Sequence, residues 1–421
     1  MLRNFQPLRL LLGRRLDEVT SAPFPRRSLY ITSFVLASGG GMVFTLLAKL
    51  QDQYGFATIG LGYMTAASFV ASPIASLGFA GFADRGHSRR MITTAVALSM
   101  AGALMFAFGS HLWQFVVARV MLGFGFGLYQ PTGRGLILRN ARAVGTGPGA
   151  ELAKLNGVDI AGFTVGPGIG AALVYFFGIR APFLVVAAVL PVTAIGLVRR
   201  IPAYSAADQE ATTAAGRQQL SIQLLRSPHV RVAVLFAIGN FLPVGIYDSL
   251  WSRYLKDRGA SILFVGLSLS LYGIPYVLAA ARGGRYVDRV GPLRAMRVAL
   301  IGVVPLVALY GLIPNIWVIA FLALAEAGFG AVVQPAAQAA MAAACPTDRL
   351  AAGQGLASAA ASLTAAATAM IAAPMYARVG SGGVFGAAAA AVAVIITAGL
   401  VLGRQMNWFA RVDPGALLTG T

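Results

Sequence analysis

The chain has 421 residues, of which 57% are hydrophobic and only 11% are charged, and its mean hydropathy is +0.74. Soluble globular proteins carry roughly a quarter charged residues, so this composition excludes a soluble domain and predicts an integral membrane protein. The formal net charge of +19 indicates no nucleic-acid partner, because the Lys and Arg residues form short clusters between apolar runs. The single cysteine, Cys345, excludes an internal disulfide.

Apolar stretches long enough to cross a bilayer follow one another along the chain. A spanning helix needs about 20 mostly apolar residues, and twelve stretches meet that need: 28–50, 57–82, 91–110, 112–137, 151–178, 181–199, 229–254, 262–283, 295–313, 316–341, 352–376 and 383–403. Residues 200–228 are a polar linker that divides the spans six and six. The predicted domains are an N-terminal segment (1–27), a first six-helix half (28–199), the linker, a second half (229–404) and a C-terminal tail (405–421). Segment 1–27 is basic and predicts either a short helix on the membrane surface or a disordered tail.

The two halves repeat one another at a fixed offset. Asp84 and Arg85 return as Asp288 and Arg289 (288 − 84 = 204). The same offset relates three further pairs: Gly62 and Gly266, Trp113 and Trp317, and Gln130 and Gln334. An even number of spans between two copies gives both copies the same orientation. The predicted fold is therefore an all-α integral membrane protein of twelve transmembrane helices, in two halves related by a pseudo-two-fold axis along the membrane normal.

The distribution of basic residues predicts the orientation of the chain in the membrane. With both termini in the cytoplasm, six of the 33 Lys and Arg residues lie in outer loops and one, Arg119, lies within a span. The remaining 26 face the cytoplasm, and the inverted topology would reverse this positive-inside bias. Both Asp-Arg loops then lie on the cytoplasmic side, after the second and eighth spans.

The Asp-Arg loops resemble the loop between the second and third helices of the major facilitator superfamily, whose pattern is Gly-x-x-x-Asp-Arg-x-Gly-x-x-Arg. The second copy fits through Gly284, Asp288, Arg289, Gly291 and Arg294. The first copy keeps Asp84, Arg85, Arg89 and Arg90, but has Ala80 and His87 at the glycine positions. The resemblance implies a conformational latch on the cytoplasmic side, formed by charge-assisted hydrogen bonds. The alternative is that Asp84 and Arg85 only cap a helix and anchor the topology.

A second resemblance, to the drug–proton antiporters of that superfamily, concerns the fourth and fifth spans. Arg119, followed by glycines at 123, 125 and 127, resembles an arginine of these antiporters. The fifth span carries a partial antiporter signature at Gly162, Gly166, Pro167 and Gly170, with Ala153 and Ala171 where the signature has glycine. Glycines four residues apart let helix backbones approach closely, so ordinary helix packing is the alternative interpretation.

Four charged residues are predicted to lie inside the membrane: Asp159, Asp248, Glu326 and Arg119. Buried charges are costly, so each is a candidate functional residue, and none has a charged counterpart in the other half. A carboxyl group in an apolar cavity can take up and release a proton. Glu326 and Asp159 are predicted proton carriers, with Asp248 as a third candidate, and Arg119 is predicted to tune one of them or to bind a substrate anion. Alternatively, Asp248 faces Arg253 or Arg258, and Asp159 pairs with cytoplasmic-side arginines.

Polar and aromatic side chains in the spans are candidates for a substrate cavity between the halves. They are Tyr129, Gln130, Asn240, Tyr247, Trp251, Tyr272, Tyr276, Gln334 and Gln338. Gln130 and Gln334 each precede a proline, which kinks a helix, so their repetition also fits a structural role.

The sequence lacks a phosphate-binding loop and any paired set of metal ligands or catalytic side chains, so it predicts no enzyme, no metal and no cofactor. The favoured hypothesis is a monomeric secondary transporter of a bacterial cytoplasmic membrane that exports a small amphipathic or cationic compound in exchange for protons. Its alternatives are proton-coupled uptake of a small metabolite and a membrane sensor or scaffold that has kept a transporter fold. Its expected partners are the substrate, protons and the lipid bilayer, and no nucleic acid is expected.

Overall fold

The computed structural model describes residues 25–82, 87–144, 148–201, 222–346 and 349–405. The described residues form helices joined by short turns. The first helix group consists of α1 (Arg26–Tyr54), α2 (Ile59–Phe82), α3 (Ser88–Phe108), α4 (Leu112–Val144), α5 (Pro148–Phe177) and α6 (Ala181–Arg200). The second helix group consists of α7 (Pro228–Lys256), α8 (Ile262–Val290), α9 (Pro292–Leu312), α10 (Ile316–Ala344) and α11 (Leu350–Gln405). A short 3-10 helix, Ile222–Arg226, precedes α7.

Local sequence explains where several of these helices begin and end. Ser261 accepts a hydrogen bond from the Phe264 amide at the start of α8, and Asn315 accepts two from the first turn of α10. Such caps satisfy backbone donors that have no partner within the helix. Gly291 separates α8 from α9 with φ of +79°, a conformation that favours glycine because it lacks a Cβ atom.

Eleven of the described helices are long and apolar enough to cross a membrane, and their bounds overlap all twelve predicted spans. The last two predicted spans, 352–376 and 383–403, fall within the single 56-residue element α11. This element is interrupted at Gly380, whose φ of 67° and ψ of −171° are not helical. The ninth span is also irregular, because a π-helical segment at Ala299–Val303 precedes its last two turns.

Within the first helix group, α1 packs on α5 and α6, and α4 packs on α2 and α3. Within the second, α11 packs on α7 and α9, and α8 packs on α10. The most extensive pairings between the groups are α2 with α11, α5 with α8, and α1 with α7. Smaller contacts join α2 to α7 and α1 to α8. We call the end of the bundle that carries the α1–α2 turn the far end, and the opposite end, where α1 begins, the near end.

Candidate functional site

Glu326 lies in the middle of α10 and is only 4% exposed. Two phenols hold its carboxylate: Tyr247 of α7 donates to Oε1 at 2.7 Å, and Tyr310 of α9 donates to Oε2 at 2.6 Å. The sequence singled out Glu326 and Tyr247 but not Tyr310. Nothing in the sequence distinguishes Tyr310 from an aromatic residue that faces lipid, because its role depends on the packing of α9 against α10.

The two phenol rings that bind this carboxylate pack against each other and against Trp251. The ring of Trp251 lies 5.4 Å from that of Tyr247 and 5.1 Å from that of Tyr310. The Trp251 Nε1 donor is buried and has no hydrogen-bond partner among the described residues. Both side chains that donate to the Glu326 carboxylate, Tyr247 and Tyr310, are uncharged. A carboxyl group with such partners can lose its charge without leaving an unpaired cation behind.

Arg119 and Asp248 form a buried ion pair between the two helix groups. Arg119 of α4 is 5% exposed and Asp248 of α7 is 8% exposed, and the guanidinium Nη2 donates to the Asp248 carboxylate. The carboxylate also accepts a hydrogen bond of 2.7 Å from Thr65 of α2, while Arg119 Nε donates to the Met64 carbonyl at 3.2 Å. The pair thus joins α7 to α2 and α4.

This arrangement differs from the expected partners of both residues. We expected Arg119 to act on Glu326, Asp159 or a substrate anion, but its carboxylate partner is Asp248. The alternative partners considered for Asp248 were Arg253 and Arg258, which follow it closely in the chain, and neither of them binds it. Sequence spacing could not reveal the pair, because its members are 129 residues apart and lie in different helix groups.

Asp159 lies on α5 and accepts a hydrogen bond of 3.0 Å from Gln130 of α4. Its other oxygen, Oδ1, is buried and has no hydrogen-bond partner among the described residues. The nearby Arg134 donates to Asn156 at 3.3 Å rather than forming the arginine pair that was considered for Asp159. This carboxylate can therefore accept a further hydrogen bond from a donor that enters the bundle.

The remaining predicted cavity residues lie in both helix groups, and several of them bind other parts of the protein. Tyr129 is fully buried and donates to the Leu29 carbonyl at 3.1 Å, so its hydroxyl joins α4 to α1. In the second group, the Asn240 amide donates to Gln334, which joins α7 to α10. Gln338 is exposed one turn further along α10 and Tyr276 is half-buried on α8.

A second set of charges joins the helix groups at the far end. Asp52, near the end of α1, accepts from Arg253 at 2.8 Å and also pairs with Lys256, both on α7. Asp257 accepts from Arg253 at 2.9 Å and from the Tyr376 hydroxyl at 2.8 Å. These side chains are partly exposed, unlike the Arg119–Asp248 pair. Among the described residues, no three His, Cys, Asp or Glu side chains are placed to hold a metal ion.

The sequence profile of the Major Facilitator Superfamily matches residues 29–252 and 232–411. The chain belongs to the Major Facilitator Superfamily. It is therefore a multi-pass membrane transporter and not an enzyme. The multidrug resistance protein MdtG of Salmonella paratyphi A is 26% identical over 334 residues, which cover 74% of this chain and 80% of the relative. MdtG of Escherichia coli O17:K52:H18 is 26% identical over 287 residues, which cover 65% and 68%.

Solved structures of other transporters share the fold. The nucleoside transporter NupG matches with a TM-score of 0.73 at 15% identity, over 90% of this chain and 98% of that one. A POT family transporter matches with a TM-score of 0.73 at 13% identity, over 91% and 96%. At these identities the likeness concerns architecture alone.

The structure describes all of the second copy of the superfamily loop motif but only part of the first copy. Asp84 and Arg85 lie outside the described residues, whereas Arg89 and Arg90 form the first turn of α3. In the second copy, Gly284 lies within α8 with open space beside it, and Asp288, Arg289 and Arg294 are exposed at the near end. The motif glycine Gly291 adopts the left-handed φ that ends α8.

The glycines of the antiporter-like signature form the contact face of α5 against α1. A Cβ atom at Gly166 would collide with the Ser38 carbonyl, and one at Gly162 would lie 2.5 Å from the Phe34 carbonyl. At Gly170 it would lie 3.0 Å from Met42. Pro167 lies inside α5 on the same face and contacts Gly41 of α1. This geometry supports the close-packing interpretation of the signature.

Proposed function

We propose that this transporter exports a small amphipathic or cationic organic compound in exchange for protons, by alternating access between the two sides of the membrane. The direction and the substrate class rest on two supports. Two of the relatives that this chain matches are multidrug resistance proteins. In addition, three carboxylates in the described helices differ in the charge of their partners, which are neutral for Glu326 and Asp159 and cationic for Asp248. The alternative of proton-coupled uptake remains an outcome of the experiment below.

The observation that carries the proposal is the environment of Glu326. Both of its partners, Tyr247 and Tyr310, are neutral donors. No charged side chain is among these partners, so a proton can be taken up or released here without separating an ion pair. A group that can change its charge inside the membrane without stranding another charge is suited to carry a proton.

Asp248 and Asp159 have other roles in this proposal. Protonating Asp248 would leave the Arg119 guanidinium buried without a counter-charge, which is strongly unfavourable. Asp248 is therefore assigned to hold the helix groups together at the far end. Asp159, whose Oδ1 is free to accept a hydrogen bond, is assigned to bind a donor group of the substrate or a second proton. Gln130, Asn240, Gln334, Gln338 and Tyr276 complete the proposed substrate cavity.

We further propose that α11 crosses the membrane twice, which gives twelve spans in two halves of six. A continuous helix of 56 residues would be about 84 Å long, whereas the apolar core of a bilayer is about 30 Å thick. The break at Gly380 then lies at the outer surface. The halves correspond to 28–199 and 229–404, joined by the cytoplasmic linker 200–228. The positive-inside bias supports cytoplasmic termini in a bacterial cytoplasmic membrane, and the transporter is proposed to act as a monomer.

The Asp-Arg loops are proposed to act as latches at the near end, which is the cytoplasmic end in this topology. In this proposal, opening that end would require breaking charge-assisted hydrogen bonds between the Asp-Arg loops and basic residues of neighbouring helices. Because the first copy lacks both motif glycines, its latch is proposed to be the weaker one.

Proteoliposomes with an acidic interior test the proposal. We expect a panel of amphipathic compounds that includes ethidium, which is permanently charged and is not trapped by acid, to accumulate inside as protons leave. Glu326→Gln should abolish the pH-driven accumulation while equilibrium binding of the substrate is retained. Protein-free liposomes are the control for leakage. Export of the substrate together with protons would instead establish symport, and full accumulation in Glu326→Gln would remove the proton-carrier assignment.

A further inference from the structure

A basic cavity opens at the near end of the bundle, away from the contacts between the helix groups. Its volume is about 520 Å³, and its walls come from the start of α3 and the end of α6. The lining residues are Arg89, Arg90, Thr93, Thr94 and Val198. The helix α3 packs mainly on α4 and α6, so its remaining face points away from the protein.

Among the described residues, the charged side chains at the start of α3 and the end of α6 are all basic. Arg89 and Arg90 lie in the first turn of α3, and Arg199 and Arg200 form the last turn of α6, directly after the lining residue Val198. No described acidic residue lies within ion-pair distance of Arg89 or Arg90. Guanidinium groups bind phosphate oxygens through paired hydrogen bonds. The cavity therefore fits a phosphate group.

The surface beside the cavity indicates that the phosphate belongs to a lipid. Val192, Ile195 and Val198 are spaced three residues apart and lie on one face of α6. Val192 is 67% exposed and Ile195 is 45% exposed, so an apolar track runs from the arginines toward the middle of the span. A free phosphate ion uses only the arginines, whereas a phospholipid also covers this track with an acyl chain.

We propose that the cleft between the start of α3 and the end of α6 is a binding site for one acidic phospholipid. The arginines bind its headgroup phosphate and the exposed face of α6 holds an acyl chain. In the proposed topology the site lies at the cytoplasmic boundary of the bilayer, where the arginines can reach the headgroup layer. Because Arg89 and Arg90 are the basic residues that end the first Asp-Arg motif and lie in the first turn of α3, a bound lipid would fix the position of the start of α3.

The test measures lipid binding directly and does not depend on transport. The full chain in neutral detergent is titrated with dioleoylphosphatidylglycerol or with dioleoylphosphatidylcholine, and bound lipids are counted by native mass spectrometry. We expect phosphatidylglycerol to bind more tightly. The double variant Arg89→Gln with Arg90→Gln should bind it at least about tenfold more weakly, since each basic residue near the surface contributes about a factor of five.

Two controls separate this site from general surface charge. Arg27→Gln with Arg231→Gln removes two exposed arginines from the starts of α1 and α7 and should leave phosphatidylglycerol binding unchanged. Arg89→Lys with Arg90→Lys keeps the charge but loses the paired hydrogen bonds, so it should bind phosphatidylglycerol more weakly than the wild type and more tightly than the glutamine variant. It also provides a readout if the glutamine variant does not fold. Equal loss in the Arg27 and Arg231 control would overturn the proposal. So would equal binding of the two lipids, or displacement of phosphatidylglycerol by millimolar inorganic phosphate, which would indicate a free-anion site.

Discussion

Replacing Asp248 by Asn should leave a positive charge stranded inside the bundle. Arg119 is 5% exposed, and after the change its acceptors are the uncharged amide oxygen at position 248 and the Met64 carbonyl at 3.2 Å. Removing one member of a buried ion pair costs roughly 3–5 kcal/mol, because the other charge keeps its desolvation penalty without its attraction. We expect Asp248→Asn to lower the free energy of unfolding by about that amount, in the range of 3–5 kcal/mol.

A double-mutant cycle separates this effect from a general loss of packing. Unfolding in detergent is compared for Asp248→Asn, Arg119→Met and the double variant, and the double variant should be more stable than Asp248→Asn alone.

The same variants are tested for opening of the far end. In a Cys345→Ser background, Ser252→Cys places a thiol at a buried contact between α1 and α7. Its alkylation rate should rise when Asp248 is replaced.

Two results would refute this reasoning. If the costs of the single variants simply add in the double variant, the two side chains do not interact energetically. If Asp248→Asn leaves the alkylation rate of the thiol at position 252 unchanged, the pair does not hold the far end closed, whatever its effect on stability.

Three further predictions concern single contacts. Tyr310→Phe removes one of the two hydrogen bonds to Glu326 and should cost about 1–3 kcal/mol of stability, measured by unfolding, while it changes the pH profile of substrate accumulation; an unchanged profile would contradict a role for this phenol in proton exchange. Gly166→Ala forces a methyl group into a carbonyl of α1 and should destabilise by about 1–3 kcal/mol, whereas the matched control Gly157→Ala meets no atom within 4 Å and should be neutral or slightly stabilising. Asp52→Asn breaks partly exposed pairs and should cost no more than about 1 kcal/mol, an effect that high salt should reduce; a cost as large as that of the buried pair would contradict this ranking.

The helices could be predicted from sequence because their signal is local. Runs of about 20 apolar residues predict spans wherever they occur, and the described helices overlap all twelve stretches. The sequence did not predict that the last two predicted stretches belong to one helical element, in which Gly380 alone has a non-helical backbone. The family could be predicted as well, since Asp288, Arg289 and Gly291 keep their spacing, and Gly291 has the backbone conformation that requires glycine.

The partners of the charged residues could not be predicted in the same way. Burial cost singles out Glu326, Asp248 and Arg119 as unusual within apolar helices, but it does not say which residue each one contacts. The pairing of Arg119 with Asp248 depends on how α4 and α7 approach each other. Tyr310 was missed for a related reason: a tyrosine in an apolar span has no sequence feature that tells whether its hydroxyl faces lipid or a carboxylate.

The two best-defined acids differ in the charge of their partners, and this difference assigns them different roles in the proposed cycle. Glu326 accepts hydrogen bonds from two neutral phenols, Tyr247 and Tyr310, so a change in its charge strands no other charge. Asp248 is paired with the Arg119 guanidinium, and loss of its charge would leave a buried cation without a counter-charge. In the proposed cycle, Glu326 is therefore the group that carries the proton, whereas Asp248 keeps its charge and holds α7 to α2 and α4.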